Sequence, residues 1–319
     1  MHGRPRFYRA YGTVSARGGA LPVFGDTRFD LASLTKVFVS AVALSFVAAD
    51  RLDLDAPLRG IVPEWRAGPH AAVSLRMLLA HVGGFRSGAD YRTLLDRDVE
   101  VFALTEPLLA RPGERVVYSD LGFIALGIIL ARAGRCGLAA GVEAALRGFG
   151  ARDAGYAVPA AERARIPATE RDAWRGLVQG AVHDEKAHLM NGIAGHAGIF
   201  ADAADVARLA EWFAAPLHGR PSPLDPGLAR EAVSEAAFDP VLRRGLGWAL
   251  KTSDENSCGA RMSRSTFGHT GFTGTSVWAD PERDLTVVFL TNAVHFGRSD
   301  LRLVRSAVCD AAAAAVDAV

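Results

Sequence analysis

Ser33 and Lys36 stand at the start of a run that stays free of charged residues from Val37 to Ala49. A run that is apolar nearly all round reads as a helix buried on every side, and a lysine in its first turn has no ordinary reason to be there. Positions i and i+3 of a helix lie side by side, so the Lys36 amine can reach the Ser33 hydroxyl. The pair then reads as a hydroxyl nucleophile and a lysine base presented together on one face of a buried helix. The same residues also fit a plainer assignment, with Ser33 capping the helix and Lys36 snorkelling out of its first turn.

Two later triplets bear on that choice. Tyr118-Ser119-Asp120 follows the turn signal Arg111-Pro112-Gly113-Glu114, and His269-Thr270-Gly271 leads into a stretch rich in strand formers. A serine hydroxyl is a poor nucleophile near neutral pH unless a neighbour takes its proton, and Lys36 and Tyr118 are the groups on offer. Lysine can serve as that base only if burial or a nearby cation lowers its pKa.

The order of these elements resembles the serine β-lactamase and penicillin-binding-protein superfamily, in particular its class C-like, esterase and cell-wall amidase branch. The flanking segments Phe29-Asp30-Leu31-Ala32, Leu78-Leu79-Ala80-His81-Val82-Gly83-Gly84, Gly245-Leu246-Gly247-Trp248 and Trp278-Ala279-Asp280-Pro281 carry the resemblance over almost the whole chain. It implies an α/β fold, an antiparallel sheet flanked by helices with an inserted all-helical domain. The sheet domain is expected from residues 1–60 and 205–319, and the helical domain, with active-site loops, from 61–204. It also implies that Ser33 attacks an acyl carbonyl while Lys36 and Tyr118 shuttle the proton, and that the backbone N–H groups of Ser33 and Phe272 form the oxyanion hole. Asp120, His196, His269, Thr270 and Gly271 are then the substrate-binding positions.

Two departures bear on the substrate. Asp120 stands where β-lactamases and penicillin-binding proteins usually have asparagine, and His269 where they have lysine. An amide donor has become an acceptor, and a fixed cation has become a titratable ring. Both changes count against efficient β-lactam hydrolysis, and both occur in esterase-like and amidase-like relatives. An aspartate near Lys36 also favours the ammonium form and moves the general-base role toward Tyr118.

The segments Val182-His183-Asp184-Glu185-Lys186-Ala187 and Gly192-Ile193-Ala194-Gly195-His196-Ala197-Gly198-Ile199-Phe200 resemble a signature of peptidoglycan-fragment amidases and minor carboxypeptidases. His183, Asp184, Glu185, His188 and His196 also admit a reading as a metal cluster, but their spacing is not that of a zinc helix. The reading adopted is a glycine-rich loop that places His196 beside the acyl pocket. A turn histidine held by structural hydrogen bonds is the alternative. No cofactor or metal is expected. The expected function is hydrolysis of an ester or amide through an acyl-enzyme, on a small molecule or a peptidoglycan-derived muropeptide or D-amino-acid peptide. A true β-lactamase and a non-catalytic acyl-binding sensor on the same fold are the alternatives.

Composition sets outer bounds. With 319 residues, half of them hydrophobic, the chain can bury a large core, and a net charge of +1 without long basic runs leaves no footprint for nucleic acid. Cys136, Cys258 and Cys309 are odd in number and lack metal-like spacing, so no disulfide framework is expected. The apolar run after Lys36 is too short for a membrane span, and nothing near Met1 has the pattern of an export signal. A cytoplasmic protein is expected from the sequence as written. The segment Arg6-Phe7-Tyr8-Arg9-Ala10-Tyr11, however, resembles the second strand of the family sheet, so an upstream helix, strand and export signal are expected if the start is cut short.

Along the chain, a strand and turn are expected over 6–16, helices over 33–49, 74–81, 121–133, 202–213 and 301–315, and strands over 247–251, 275–280 and 285–292. Residues 150–188 read as surface loops near the site.

Overall fold

The computed structural model describes residues 7–15, 20–238 and 243–318. Helix α1, Thr35–Ala48, is its centre, with every residue from Thr35 to Leu44 buried. A 3-10 turn, Ala32–Leu34, leads into it, so the α-helix proper begins two residues after Ser33. Helices α4 (Asp120–Gly134) and α5 (Leu138–Gly148) pack against it, and α2 (Leu75–Leu79) and α3 (Val99–Thr105) pack on α4. Helix α4 is as apolar as α1 and buries Leu121 to Leu130 without a break. It starts at Ser119, whose hydroxyl accepts the Gly122 N–H at 3.0 Å, a hydrogen bond that satisfies one of the orphan donors of the first turn. Ser74 caps α2 as expected, but the helix stops at Leu79 because His81 turns to the left-handed φ of 59°.

Four short strands come before the main sheet. β1 (Phe29–Asp30) pairs with β4 (Phe200–Ala201), and β2 (Glu170–Asp172) forms an antiparallel hairpin with β3 (Gly176–Val178). Helix α6, Glu185–Leu189, follows β3. Residues 150–188 are therefore not mere surface loops: they hold the hairpin, and Tyr156, Ile166, Val178 and Val182 are buried. Alternation over so few residues is too brief a signal to read as a strand.

Helices α7 (Ala203–Ala214) and α8 (Pro226–Ala232) lead to the main sheet, an antiparallel set in the order β5 (Ala249–Leu250), β6 (Phe267–Thr270), β7 (Ser276–Asp280), β8 (Leu285–Phe289). Along β7 the side chains alternate between faces. Val277 and Ala279 join the central core with Leu209 and Phe213 of α7. Trp278 points the other way, packing with Cys309 and Ala313 of the last helix, α9 (Arg302–Asp317). The sheet is thus covered on both faces by helices, the mixed α/β arrangement expected.

The expected strand over 6–16 is corrected. Arg6 and Ala16 lie outside the described residues, and between them only Thr13 makes a β-bridge, to Pro22. The β8 edge away from β7 carries no strand among the described residues. No single helix among them is long and apolar enough to cross a membrane.

Candidate active site

Ser33 is placed by its backbone. Ala32, just before it, has a φ of 46°, a conformation that a residue with a Cβ enters only at a cost. The turn is held from several sides. Asp30 Oδ1 accepts the Ala32 N–H at 2.8 Å, and Asp30 Oδ2 accepts the His183 N–H at 2.6 Å. The Thr273 and Thr275 hydroxyls donate to the carbonyls of Asp30 and Leu31 at 2.8 and 3.1 Å. Ser33 caps no helix; its Oγ accepts a hydrogen bond from Lys36 Nζ at 2.9 Å.

Lys36 is fully buried. Its ammonium also meets Asp120 Oδ1 at 2.8 Å and the His196 carbonyl at 3.3 Å, so its donors are all engaged. Burial disfavours the charge, but the Asp120 carboxylate, with the Tyr118 hydroxyl behind it, outweighs burial and raises the lysine pKa. Lys36 is therefore a charged donor toward Ser33 rather than a free base. The Tyr118 ring centroid lies 4.8 Å from Lys36 Nζ, packed between the rings of His81 at 4.7 Å and His269 at 6.0 Å, with the Arg244 guanidinium 5.2 Å from it.

The remaining polar groups close a ring. Asp120 Oδ2 lies 3.4 Å from Lys186 Nζ, Lys186 lies 3.1 Å from Asp184, and Asp184 Oδ1 lies 2.8 Å from His196 Nε2. The His196 carbonyl then leads back to Lys36. Burial works against ionised carboxylates, yet the cations around Asp120 and Asp184 hold both below the usual range. Asp120 also opens α4, where the helix N-terminus favours an anion. Asp120, Asp184 and His196 bring ligand atoms within 4.8 Å of one another; between the two carboxylates stands the Lys186 ammonium, the positive charge a metal would otherwise supply. The other residues of the sequence-level metal reading turn elsewhere. His183 faces Glu170 at 2.8 Å, Glu185 faces Arg298 at 3.1 Å, and His188 packs edge-on against Trp174.

His269 departs from expectation. Burial first, then the positive charge of Arg244 and Lys36, pushes its pKa down to about 3, so the ring is neutral at physiological pH and does not act as a switch. Its Nδ1 lies 2.8 Å from the Thr270 carbonyl. The cation beside it is Arg244, which sequence reasoning missed: it directly precedes the 245–248 segment, but only the fold of the loop before β5 turns its side chain toward Tyr118 and His269. His81 was also missed as a site residue: burial pushes its pKa well down, and its neutral Nδ1 accepts the Ser119 N–H at 3.0 Å.

Thr270 ends β6, paired with Ser276, and Gly271 and Phe272 form the turn that docks on the Ser33 segment. Phe272 projects into solvent, its ring stacked on His183 at 5.6 Å and its other neighbour the Arg298 guanidinium at 5.3 Å. A Cβ at Gly271 would collide with Thr275 Oγ1 and the Leu31 carbonyl. Gly271→Ala is therefore expected to separate the β6–β7 turn from the Ser33 segment. Activity should drop at least tenfold and the thermal midpoint should fall, measured by ester hydrolysis and a melting curve; a variant that keeps both would show that the turn tolerates displacement.

A buried lysine bonded to a partly buried serine, with a tyrosine ring over the lysine and the turn between β6 and β7 beside them, defines a serine hydrolase of the mixed α/β type. The chain belongs to the beta-lactamase family, whose model matches residues 1–308. It is 30% identical over 309 residues to an N-acetylmuramyl-L-alanine amidase of Bacillus subtilis, covering 84% of this chain and 68% of that one. It is 28% identical over 306 residues to a Salmonella agona protein that carries the name of a D-alanyl-D-alanine carboxypeptidase, covering 85% and 70%. Among solved structures the fold is similar to EstCE1, a hydrolase with promiscuous acyltransferase activity, with a TM-score of 0.76, 21% identity and coverage of 96% and 89%. A class C beta lactamase from Rhodobacter sphaeroides gives a TM-score of 0.72, 20% identity and coverage of 93% and 88%.

Proposed function

We propose that this protein hydrolyses an amide or ester through an acyl-enzyme on Ser33, and that its substrate is a peptidoglycan-derived fragment, with the muramyl–L-alanine amide the bond it fits best. The observation that carries the chemistry is the 2.9 Å contact between Ser33 Oγ and a Lys36 ammonium already tied to Asp120. With the lysine charged, proton relay falls to Tyr118. Acting in its phenolate form beside the Lys36 ammonium, Tyr118 takes the hydroxyl proton as Ser33 Oγ attacks the acyl carbon, and the phenol so formed delivers that proton to the leaving nitrogen or oxygen. Water then enters along the same route, and its proton returns Ser33 to the hydroxyl form. The oxyanion is received by the N–H groups of Ser33 and Phe272; the latter makes no hydrogen bond among the described residues. The substrate class is supported by the relatedness to the amidase and by the acceptor at Asp120 and neutral ring at His269, which offer a β-lactam neither amide donor nor fixed charge at those positions.

The test is a comparison of N-acetylmuramyl-L-alanine, a peptide ending in D-alanyl-D-alanine, p-nitrophenyl acetate and a chromogenic cephalosporin. Release of L-alanine from the first is expected, with ready ester hydrolysis and slow cephalosporin turnover. Faster cephalosporin cleavage than ester cleavage, compared as kcat/KM, would make the protein a true β-lactamase; D-alanine release alone would move the substrate to the stem peptide.

A further inference from the structure

Asp120 can accept hydrogen bonds but, ionised, cannot donate one. Yet its outer oxygen is in contact with a second lysine. Lys186 sits in the first turn of α6, and its side chain is 10% exposed. Two of the three donor directions of an ammonium are taken, by Asp184 at 3.1 Å and Asp120 at 3.4 Å. Lys186 also lines a cleft of about 360 Å³ shared with Tyr91, Arg92, Asp172, Glu185 and Arg298. The shortest polar path from Ser33 Oγ to Lys186 Nζ passes only through Lys36 and Asp120. The charge of Lys186 is secure, because the two carboxylates outweigh its burial and raise its pKa.

We propose that Lys186 is a specificity-determining residue that donates its remaining N–H to an amide carbonyl on the acyl half of the substrate, supplying the donor that Asp120 lacks. This rests on Ser33 as the nucleophile, but not on a muramyl substrate.

The test uses two p-nitrophenyl esters of equal chain length, N-acetylglycyl, which carries the carbonyl, and pentanoyl, which does not. The wild-type enzyme is expected to favour the acetylglycyl ester once each kcat/KM is divided by that ester's rate with hydroxide. Lys186→Met should lower this preference by about 10- to 100-fold, the loss of one hydrogen bond from a charged donor, and Lys186→Gln, which keeps an N–H, should recover most of it. An equal loss on both esters would reduce Lys186 to a clamp for Asp120 and Asp184 and overturn the assignment. A wild-type enzyme with no corrected preference overturns it too, whether or not the methionine variant folds. Failure on the muramyl amide with the ester preference intact refutes the substrate and leaves the donor standing.

Discussion

Ser33→Ala is expected to abolish turnover, with kcat/KM for p-nitrophenyl acetate falling on the order of 10³-fold or more, as for removal of a nucleophile. Because the Ser33 hydroxyl caps no helix and, among the described residues, meets only Lys36 Nζ, the fold should survive, with a cost of about 1–3 kcal/mol for the buried ammonium donor left unpaired. The check pairs steady-state kinetics with a melting curve and with labelling by a fluorescent phosphonate. Activity within tenfold of the native enzyme would remove Ser33 as the nucleophile. A stable adduct on the native protein with no product beyond one equivalent would instead mark a sensor that acylates without turning over.

Tyr118→Phe should lower kcat by roughly 10²–10⁴, the range for loss of a general acid–base group, while KM changes little. The ring itself is retained, so its packing between His81 and His269 and its face toward Arg244 survive. The larger share of the loss is assigned to the tyrosine because Lys36 is held as an ammonium by Asp120. An unchanged kcat with a raised KM would make Tyr118 a binding group and return the proton relay to the lysine.

The parts of the site that were legible in the sequence are those fixed by local geometry. The i, i+3 spacing of Ser33 and Lys36 places their side chains together whatever the rest of the chain does, and Ser119 followed by an apolar run announces a capped helix. The charge of Lys36 was also foreseen, since it depends only on Asp120 coming near. Lys186, His81 and Arg244 gave no comparable signal. Each stands inside or next to a segment that carries the resemblance, but reaches the site from a separate loop or short helix, and neither residue type nor spacing tells which way its side chain turns. The same limit explains His269. Its type suggests titration near neutrality, but burial beside Arg244 and Lys36, which only the tertiary structure creates, removes the proton. The β1–β4 pair escaped notice because two-residue strands have no period to read.

The Asp30 carboxylate joins the turn before Ser33 to the N–H of a residue 153 positions later, and the Thr273 hydroxyl reaches the carbonyl of the same aspartate from 243 positions away. Three remote stretches of chain must therefore meet before the turn that carries Ser33 has its geometry. Reactivity at Ser33 is then a readout of folding itself: in a partly denatured sample, the fraction of molecules that capture a phosphonate should track the fraction that have completed these long-range closures. A probe made for catalysis becomes a counter of native molecules.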